Sequence, residues 1–320
     1  MAAETLGIDA QYRALREEAG LLDRSDRARI VVSGSEAADF LQGQLTNDVE
    51  ALAAGDGCYA ALLDRKGKVR ADMRVLRLDD RFLIDTEPEA GELVTRHLEM
   101  YKVGRDAAVE AAPDGERLLS LIGPRSAQLA GDVPSGPEHA HREAMVGGAR
   151  CRAIATDGGV DLLVDGDAAD LVREHLIAAG AAPVEAEAAE IVRVESGRPR
   201  LGREISAATM PQEAGINDRA VSFTKGCYIG QETVARLHYK GKPNRHLRLL
   251  LPEREVAAGD PVTLDGRELG TIGTAVLSPA RGPLALAILR REAEPGDQVL
   301  VGDGVPARVE EVAGIAETPA

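Results

Sequence analysis

The chain has 320 residues, of which 44% are hydrophobic, so it can build about two globular domains with ordinary cores. Its formal net charge of −15 opposes non-specific attraction to nucleic acid or anionic membranes, and with no Trp, three Phe and five Tyr it has little material for stacking bases. No apolar run approaches the ~20 residues of a membrane span, and the N-terminus lacks an apolar signal-peptide core. We therefore predict a cytoplasmic protein without membrane contact.

The cysteines exclude several kinds of site. Cys58, Cys151 and Cys227 are odd in number and form no CxxC pair, which argues against a disulfide framework and a thiolate zinc site. Three thiolates also cannot complete a conventional iron–sulfur cluster within one chain. The sequence contains no GxGxxG motif after a strand, no P-loop and no HExxH helix. We predict no metal site.

Hydrophobic periodicity and Gly/Pro punctuation predict the elements of the first 200 residues. In chain order they are a helix over 9–21, a strand over 28–33, a helix over 36–41, a hairpin over 57–78 with its turn at 65–68, a strand over 82–85, a helix over 88–100, a strand over 118–123, a helix over 124–129, a strand over 162–165, a helix through 171–176 and a helix over 183–197. Gly20 is expected to end the first helix and Ser35 to cap the second. Pro183 and Gly197 are expected to begin and end the last helix.

An internal repeat joins these elements. The sequence LVTRHL at 93–98 nearly matches LVREHL at 171–176, and both follow a strand ending in Asp. We infer two related halves, about 21–110 and 115–200, each a split βαβ of ferredoxin-like type. Ligand pockets often lie where two halves of a protein meet, so a ligand is expected between these halves.

From residue 247 onward the pattern changes to short strands separated by Gly- and Pro-rich turns, which predicts a small β-barrel. The predicted fold class is therefore α+β, with duplicated ferredoxin-like halves and a small C-terminal β-barrel. We place the body at residues 1–242 and the barrel at 243–320.

The stretch at 224–232, TKGCYIGQE, is the part of the chain that ordinary packing explains least. Its glycines allow a sharp turn or a close approach to a ligand, and a helix starting near Gln231 would aim its free N–H groups at the loop. A thiol at Cys227, beside Lys225, could be a partial thiolate. The plainer alternative is a packed thiol, glycines that only shape a turn and a solvated lysine. The occurrence of two glycines, a thiol and a lysine within nine residues favours a site over this alternative.

A basic run follows this stretch. No acidic residue lies between Glu232 and Glu253. The basic side chains there are Arg236, Lys240, Lys242, Arg245 and Arg248, with His238 and His246. A solvated linker and a cationic rim for an anionic ligand tail explain them equally well.

Residues 225–232, KGCYIGQE, resemble the K-G-C-[YF]-x-G-Q-E signature of the YgfZ-type folate-binding proteins, relatives of the glycine-cleavage T-protein, an aminomethyltransferase. Residues 13–49 resemble the opening of that superfamily, 193–199 resemble its R-x-E-x-G-x-P segment, and 266–279 fit its terminal barrel loosely. The resemblance therefore covers most of the chain. It implies a tetrahydrofolate-binding body acting in maturation or repair of iron–sulfur enzymes, with folate and client enzymes or assembly factors as partners.

The resemblance also implies roles for individual residues. Glu195 and Arg193 would lie at the pterin end, because a carboxylate can accept two parallel N–H bonds from a pterin. Cys227 would be a transient thiolate in a reactive loop with Lys225. The further folate-binding positions would be Gln231, Tyr228, Gly226, Gly230 and Arg236.

Two other functions stay open. T-protein relatives move a one-carbon unit from an aminomethyl-lipoyl carrier to tetrahydrofolate, using an acidic residue in a G-G-[IV]-[IL]-D-D segment. The corresponding stretch at 67–72 keeps Asp72 but has Ala71 at the other acidic position, so Asp72 is either a catalytic residue or the polar face of a strand. A non-catalytic folate sensor or a tRNA-modification partner is the third possibility, motivated by the basic run. Whether the protein is an enzyme is left open.

Overall fold

The computed structural model of the chain describes residues 6–113, 115–131, 133–134 and 136–312. They form two compact units, and the chain passes between the units several times. The first unit contains the described parts of Met1–Leu41, Val49–Tyr59 and Met73–Val192. The second contains those of Gln42–Asp48, Ala60–Asp72 and Arg193–Ala320. The proposed domain boundary near residue 242 stays a prediction.

Helices and strands alternate through the first 200 residues, and strands dominate the rest. The helices are α1 (Ile8–Glu17), α2 (Ala37–Gln44), α3 (Gly91–Tyr101), α4 (Ser126–Ala130), α5 (Gly166–Ala178), α6 (Ala186–Glu195), α7 (Asn217–Ala220) and α8 (Gln231–Lys240). The strands are β1 (Gly20–Asp23), β2 (Ala28–Ser33), β3 (Gly57–Leu63), β4 (Val69–Arg77), β5 (Arg81–Thr86), β6 (Ala108–Ala111), β7 (Arg117–Ile122), β8 (His141–Val146), β9 (Ala149–Thr156), β10 (Gly159–Val164), β11 (Ala182–Pro183), β12 (Arg245–Pro252), β13 (Pro261–Leu264), β14 (Arg267–Ser278), β15 (Gly282–Arg290), β16 (Gln298–Val301) and β17 (Val305–Glu310).

The predicted duplication is confirmed by element order and by sheet order. The series β2-α2-β3-β4-β5-α3-β6 recurs as β7-α4-β8-β9-β10-α5-β11. The first sheet has the order β3-β4-β5-β2-β6, and the second has β8-β9-β10-β7-β1-β11 when read in the same direction. Each half is thus a split βαβ with one extra edge strand, and β1 is inserted into the second sheet. The matching LVTRHL and LVREHL sequences lie on α3 and α5.

Two predicted details at the start of the chain are wrong. α1 ends at Glu17, and Gly20 opens strand β1 instead of ending the helix. A Cβ on Gly20 would lie 2.5 Å from a methyl group of Leu15, so a larger residue there would force the Leu15 side chain to shift, and glycine lets the helix pack closely on the strand. Ser35 is not the helix cap, because its hydroxyl donates to Asp106 Oδ2 at 2.5 Å.

Further along, Pro183 lies in β11, and α6 begins only at Ala186. The prediction did identify the end of α6, since Gly197 follows it with φ 65°. The hairpin of β8 and β9 was missed. Its turn at Gly147-Gly148 has positive φ at both residues, and a Gly-Gly pair between strand-like segments is a known hairpin signal.

The predicted C-terminal barrel is confirmed. Its six strands close in the order β12-β15-β14-β13-β16-β17, and all six strand pairings are antiparallel. Alternating apolar side chains fill its interior, including Leu250, Val262, Leu289 and Val309, each almost completely buried. In the first unit, a separate core under the six-stranded sheet includes Leu119, Leu162, Val172 and Leu176.

Candidate functional site

The predicted site residues all fall in the second unit. The loop at 224–230 connects α7 to α8, and the unit also contains Gln42–Asp48 and the turn of the β3–β4 hairpin. Helix α8 begins at Gln231, as predicted, directly after Gly230. This unit therefore contains both stretches that the sequence analysis singled out. One is the loop at 224–230, called the cysteine loop from here on, and the other is the segment that carries Asp72.

Lys225 anchors the loop to the segment that follows α2. Its ammonium donates hydrogen bonds to the backbone oxygens of Gln42 at 2.5 Å, Leu45 at 2.7 Å and Asn47 at 3.0 Å. A lysine ammonium carries three N–H donors, so these carbonyls can use all of them. A cation beside the last carbonyls of a helix is also electrostatically favourable. This geometry favours an anchoring role for Lys225 over proton transfer or pairing with a thiolate.

Thr46 and Asn47 complete this anchor, and sequence reasoning missed both. The Thr46 hydroxyl donates to the Ala220 oxygen at 2.5 Å and accepts from the Ala61 amide at 2.8 Å. The Asn47 side-chain amide donates to the Arg219 oxygen at 2.9 Å. Two short polar side chains thus join the segment after α2 to β3 and to α7. Nothing in their local pattern distinguishes them from ordinary loop residues.

The two glycines of the loop differ in whether their surroundings leave room for a side chain. Gly230 has φ 86° and precedes α8, and a Cβ there would lie 2.5 Å from the Asp64 backbone oxygen. It therefore packs directly on the β3–β4 turn. Gly226 has no atom within 4 Å of a Cβ position, so its surroundings would accept a side chain.

Cys227 and Tyr228 have opposite environments. The Cys227 side chain is exposed, whereas Tyr228 is only 7% exposed. The Tyr228 hydroxyl is shielded from solvent, has no hydrogen-bond partner among the described residues, and burial raises the pKa of Tyr228 to about 12. Its ring lies 5.1 Å from the Lys225 ammonium, within cation–π range. The thiol is open to reagents, and the phenol is not.

The other predicted residues of this region lie along α8 and β4. Gln231 opens α8 and is half-buried, while Arg236, further along the same helix, is exposed. On β4, Asp72 is half-buried and Ala71 is completely buried. The position of the missing second carboxylate is therefore closed to solvent.

Glu195 and Arg193, at the end of α6, contact the barrel strand β14. The Ser278 hydroxyl donates to Glu195 Oε1 at 2.5 Å. Arg193 donates to Thr274 Oγ1 at 2.8 Å and to Glu204 Oε2 at 3.0 Å, and also to the Arg198 oxygen. The two residues that the resemblance grouped together are thus held by the same strand. Arg193 mainly fixes the chain around it.

Glu204 is a buried carboxylate that sequence reasoning missed. It is 6% exposed, and besides Arg193 it accepts from the Arg200 amide at 3.0 Å. Gly273 makes room for it, since a Cβ there would lie 2.9 Å from its side chain. No periodic signal marks this residue.

The first unit contains a cleft and a buried ionic network that include none of the predicted site residues. A cleft of about 410 Å³ is lined by both repeats, including Val31, Leu83, Glu116, Arg152 and Leu163, and none of the predicted site residues lines it. The prediction placed a ligand between the halves, and this cleft is where the two repeats form a concavity within the unit.

A buried ionic network in the first unit was also not predicted. Arg74 donates to Asp85 at 2.5 Å and to Asp161 at 2.7 Å, and Arg27 pairs with Asp85. Burial alone would raise the pKa of Asp85, but Arg27 and Arg74 hold it well below its usual range. The same competition, with Arg74 as the principal cation, lowers the pKa of Asp161. Both acids are therefore ionised near neutral pH.

Two classes of feature are absent from the part of the chain that the structure describes. No group of three or more His, Cys, Asp or Glu is arranged to hold a metal ion there. Within the same residues, no helix combines the length and the apolar character needed to cross a bilayer.

Comparison with known proteins identifies the family. The model of the GCVT N-terminal domain family matches residues 3–225. An aminomethyltransferase of Rubrobacter xylanophilus is 30% identical over 97% of this chain and 86% of its own length. A putative chloroplastic transferase of Arabidopsis thaliana is 29% identical over 92% of this chain and 71% of its own.

Among solved structures, the glycine cleavage system aminomethyltransferase T from Bartonella henselae superposes with a TM-score of 0.86, covering 98% of this chain and 90% of that one, at 23% identity. That likeness establishes the shared fold. The sequence matches extend through the loop, the repeat halves and most of the barrel. The chain belongs to the GCVT N-terminal domain family.

Proposed function

We propose that the protein binds tetrahydrofolate and transfers a one-carbon unit to it, in the manner of an aminomethyltransferase. The curated relatives are named for aminomethyl transfer, which supports this function over the iron–sulfur role implied by the octapeptide. One observation carries the proposal. Gly230 of the cysteine loop packs on Asp64, in the hairpin whose next strand carries Asp72, so the two candidate reactive segments touch.

Glu195 is the proposed pterin ligand, and its surroundings are compatible with that role. The side chain is half-buried at the end of α6, and Oε1 accepts from Ser278. A carboxylate accepts at about four lone-pair positions, so accepting from a donor of the protein is compatible with accepting from a pterin. The Ser278 bond would hold the carboxylate in place. Arg193 would act indirectly, by fixing the backbone after α6.

Asp72 is proposed as the carboxylate that lies beside the one-carbon group during its transfer. Bound tetrahydrofolate would supply the nitrogen that accepts the one-carbon unit. Asp72 is half-buried on β4, where a carboxylate interacts more strongly with charge than it would in bulk water. It would stabilise the positive charge that develops on the methylene carbon of an aminomethylated carrier as ammonia leaves, with the carrier sulfur released as a thiol when the folate takes the carbon. Ala71 cannot share that task, so Asp72 alone supplies the charge at this pair of positions.

A second function, maturation or repair of iron–sulfur enzymes, is favoured by one specific observation. Cys227 is exposed on a loop that Lys225 and Gly230 hold in place. An exposed thiol on an anchored loop suits transient reaction with a client. The proposed partners are then iron–sulfur enzymes or their assembly factors, and the cytoplasmic location stays a prediction.

The test is calorimetric titration of tetrahydrofolate into the wild type and Glu195→Ala, together with an assay for ammonia released from an aminomethylated carrier. Loss of a charged hydrogen-bond partner should cost about 1.5–3 kcal/mol, or roughly ten- to a hundredfold in affinity. Asp72→Asn should abolish turnover with little change in binding. Ser278→Ala is the control, because it removes the bond to Glu195 and keeps the carboxylate.

The outcomes separate the functions. Equal losses in Glu195→Ala and Ser278→Ala would show that the bond between α6 and β14, and not the carboxylate, supports binding. Folate binding without turnover would favour the iron–sulfur function, and Cys227→Ser should then fail to restore iron–sulfur enzyme activities in a deletion strain. No binding by the wild type would refute both.

A further inference from the structure

The two repeats of the first unit can be compared position by position. Leu93 and Leu171 begin the matched LVTRHL and LVREHL segments, so a shift of 78 residues, from 93 to 171, relates the repeats here. The same shift carries both ends of β5 onto the ends of β10. It also makes Arg152 on β9 the counterpart of Arg74 on β4, and each arginine lies opposite the corresponding residue of the adjacent strand. The surroundings of the two arginines can therefore be compared directly.

The acid that lies opposite Arg74 is replaced by a leucine opposite Arg152. Across β4 and β5, Arg74 lies opposite Asp85 and binds it at 2.5 Å. Across β9 and β10, Arg152 lies opposite Leu163. Both Arg152 and Leu163 line the cleft of about 410 Å³. The second repeat thus keeps the arginine and lacks its acid.

The second acid of the network is also replaced by a leucine. Asp161 binds Arg74 and accepts from Ser120 on the neighbouring strand at 2.6 Å. The same shift makes Leu83 the counterpart of Asp161, and Leu83 lies opposite Val31 on the strand that corresponds to that of Ser120. Leu83 and Val31 line the cleft, where Leu83 is buried and Val31 is half-buried. The polar centre of the network therefore corresponds to an apolar floor in the cleft.

Arg152 is held less tightly than Arg74. Its Nη1 donates to His141 Nδ1 at 3.1 Å, and its ion pair among the described residues is with Glu143 at 3.7 Å. Glu143 also accepts from Arg150 at 3.0 Å. The Arg152 side chain is 21% exposed, against 9% for Arg74. A guanidinium has five N–H donors in a planar fork that fits a carboxylate, so Arg152 can still bind one from a ligand.

A carboxylate accompanies Arg152 in the cleft. Glu116 directly precedes β7, as Arg27 directly precedes β2, so the cleft has an acid where the network has its second arginine. The Glu116 side chain is 35% exposed and lies 3.9 Å from Arg29 Nε. Burial raises the pKa of Glu116, and the positive charges of Arg29 and Arg152 only partly oppose this shift. A cationic group of a ligand would stabilise the ionised form.

We propose that the cleft binds a free α-amino acid with an aliphatic side chain. The ligand carboxylate pairs with Arg152, its ammonium pairs with Glu116, and its side chain covers Leu83 and Leu163. Five carboxylates and three guanidinium groups line the cleft, an excess of two negative charges that disfavours an anion without the ammonium. The volume of about 410 Å³ is in the usual range for small-molecule sites. This site is separate from the proposed folate function and does not depend on it.

The test is calorimetric titration of L-leucine, glycine and 4-methylpentanoate into the folate-free protein. Glycine lacks the aliphatic side chain, and 4-methylpentanoate is leucine without its amine. We expect leucine to bind about tenfold more tightly than glycine, because its side chain buries apolar surface. It should also bind about tenfold more tightly than 4-methylpentanoate, because that compound has no partner for Glu116.

Three variants and a control locate the site. Arg152→Gln and Glu116→Gln should each weaken leucine binding about tenfold, by removing one charged partner. Leu163→Asp restores the acid of the first repeat and gives Arg152 a carboxylate of the protein, so it should abolish leucine binding. Arg96→Gln removes an exposed arginine of α3 outside the cleft and should leave binding unchanged. Thermal unfolding of each variant shows whether it is folded, and if Leu163→Asp is not, the other two variants decide.

Four outcomes would overturn the inference. The wild type could show no binding of leucine, or it could bind 4-methylpentanoate as tightly as leucine, which would mean that the ammonium is not recognised. Undiminished leucine binding by folded Arg152→Gln would place the ligand outside the cleft. An equal loss in Arg96→Gln would assign the effect to net charge. None of these outcomes bears on folate binding, which is measured in a separate titration.

Discussion

Gly230 packs against the backbone of Asp64 so closely that a Cβ on Gly230 would lie 2.5 Å from the Asp64 oxygen. This contact joins the cysteine loop to the β3–β4 hairpin. It brings together two segments that are far apart in the sequence, one that carries Cys227 and one that carries Asp72.

Gly230→Ala should destabilise the protein by about 1–3 kcal/mol or more, because φ 86° strains any residue with a Cβ and the methyl group would collide with Asp64. Gly226→Ala is the matched control, since its Cβ position is open. Urea unfolding of both variants measures the difference. Equal stabilities would contradict the packing described for Gly230.

Lys225→Met should destabilise the protein by about 1.5–3 kcal/mol, because three carbonyls lose a charged donor at once. Arg236→Met serves as the control, since its side chain is exposed and makes no hydrogen bond with a described residue. If Lys225→Met lost activity with unchanged stability, a chemical role for the ammonium would be favoured over anchoring.

Tyr228→Phe should leave the free energy of unfolding unchanged or raise it by about 1 kcal/mol, because it removes a buried hydroxyl without a partner. Thermal unfolding of the folate-free protein is the measurement. A loss of stability would mean that an internal hydrogen bond satisfies the hydroxyl. Folate affinity, measured in parallel, should be retained, since the hydroxyl is shielded from solvent.

The Arg74 network predicts acid lability. The pKa values of Asp85 and Asp161 are lowered in the folded protein, so their stabilising contribution is complete above about pH 4 and is lost as the pH falls below that value. Arg74→Met should cost about 3–5 kcal/mol at pH 7, because it leaves two buried carboxylates short of a cation.

The same variant should show a weaker dependence of stability on pH between about 4 and 2, since the pKa of Asp161 would no longer be lowered by its main cation. Denaturant unfolding at several pH values tests this. Arg81→Met, which removes an exposed partner of Asp80, should change little. If the stability of Arg74→Met fell with decreasing pH as steeply as that of the wild type, the network would not be the source of the acid lability.

Much of the fold was predictable because its signals are local. The repeat, the barrel of short strands and the start of α8 after Gly230 follow from periodicity, glycine punctuation and matched segments. Predictions at Gly20 and Pro183 were wrong because a glycine or proline also has packing roles, and only the neighbouring element shows which one applies. Gly20 is fixed by Leu15, a contact that no turn rule contains.

The sequence by itself determined the α+β class, the duplication and the barrel, and it predicted the stretch in which a site would lie. Only the tertiary structure decided what its polar groups do. The oxygens that bind Lys225 lie 178 to 183 residues earlier in the chain, and the hydroxyl that binds Glu195 lies 83 residues later. Periodicity reports interactions within a few residues of each other, whereas hydrogen-bond partners at these separations are set by how the elements pack.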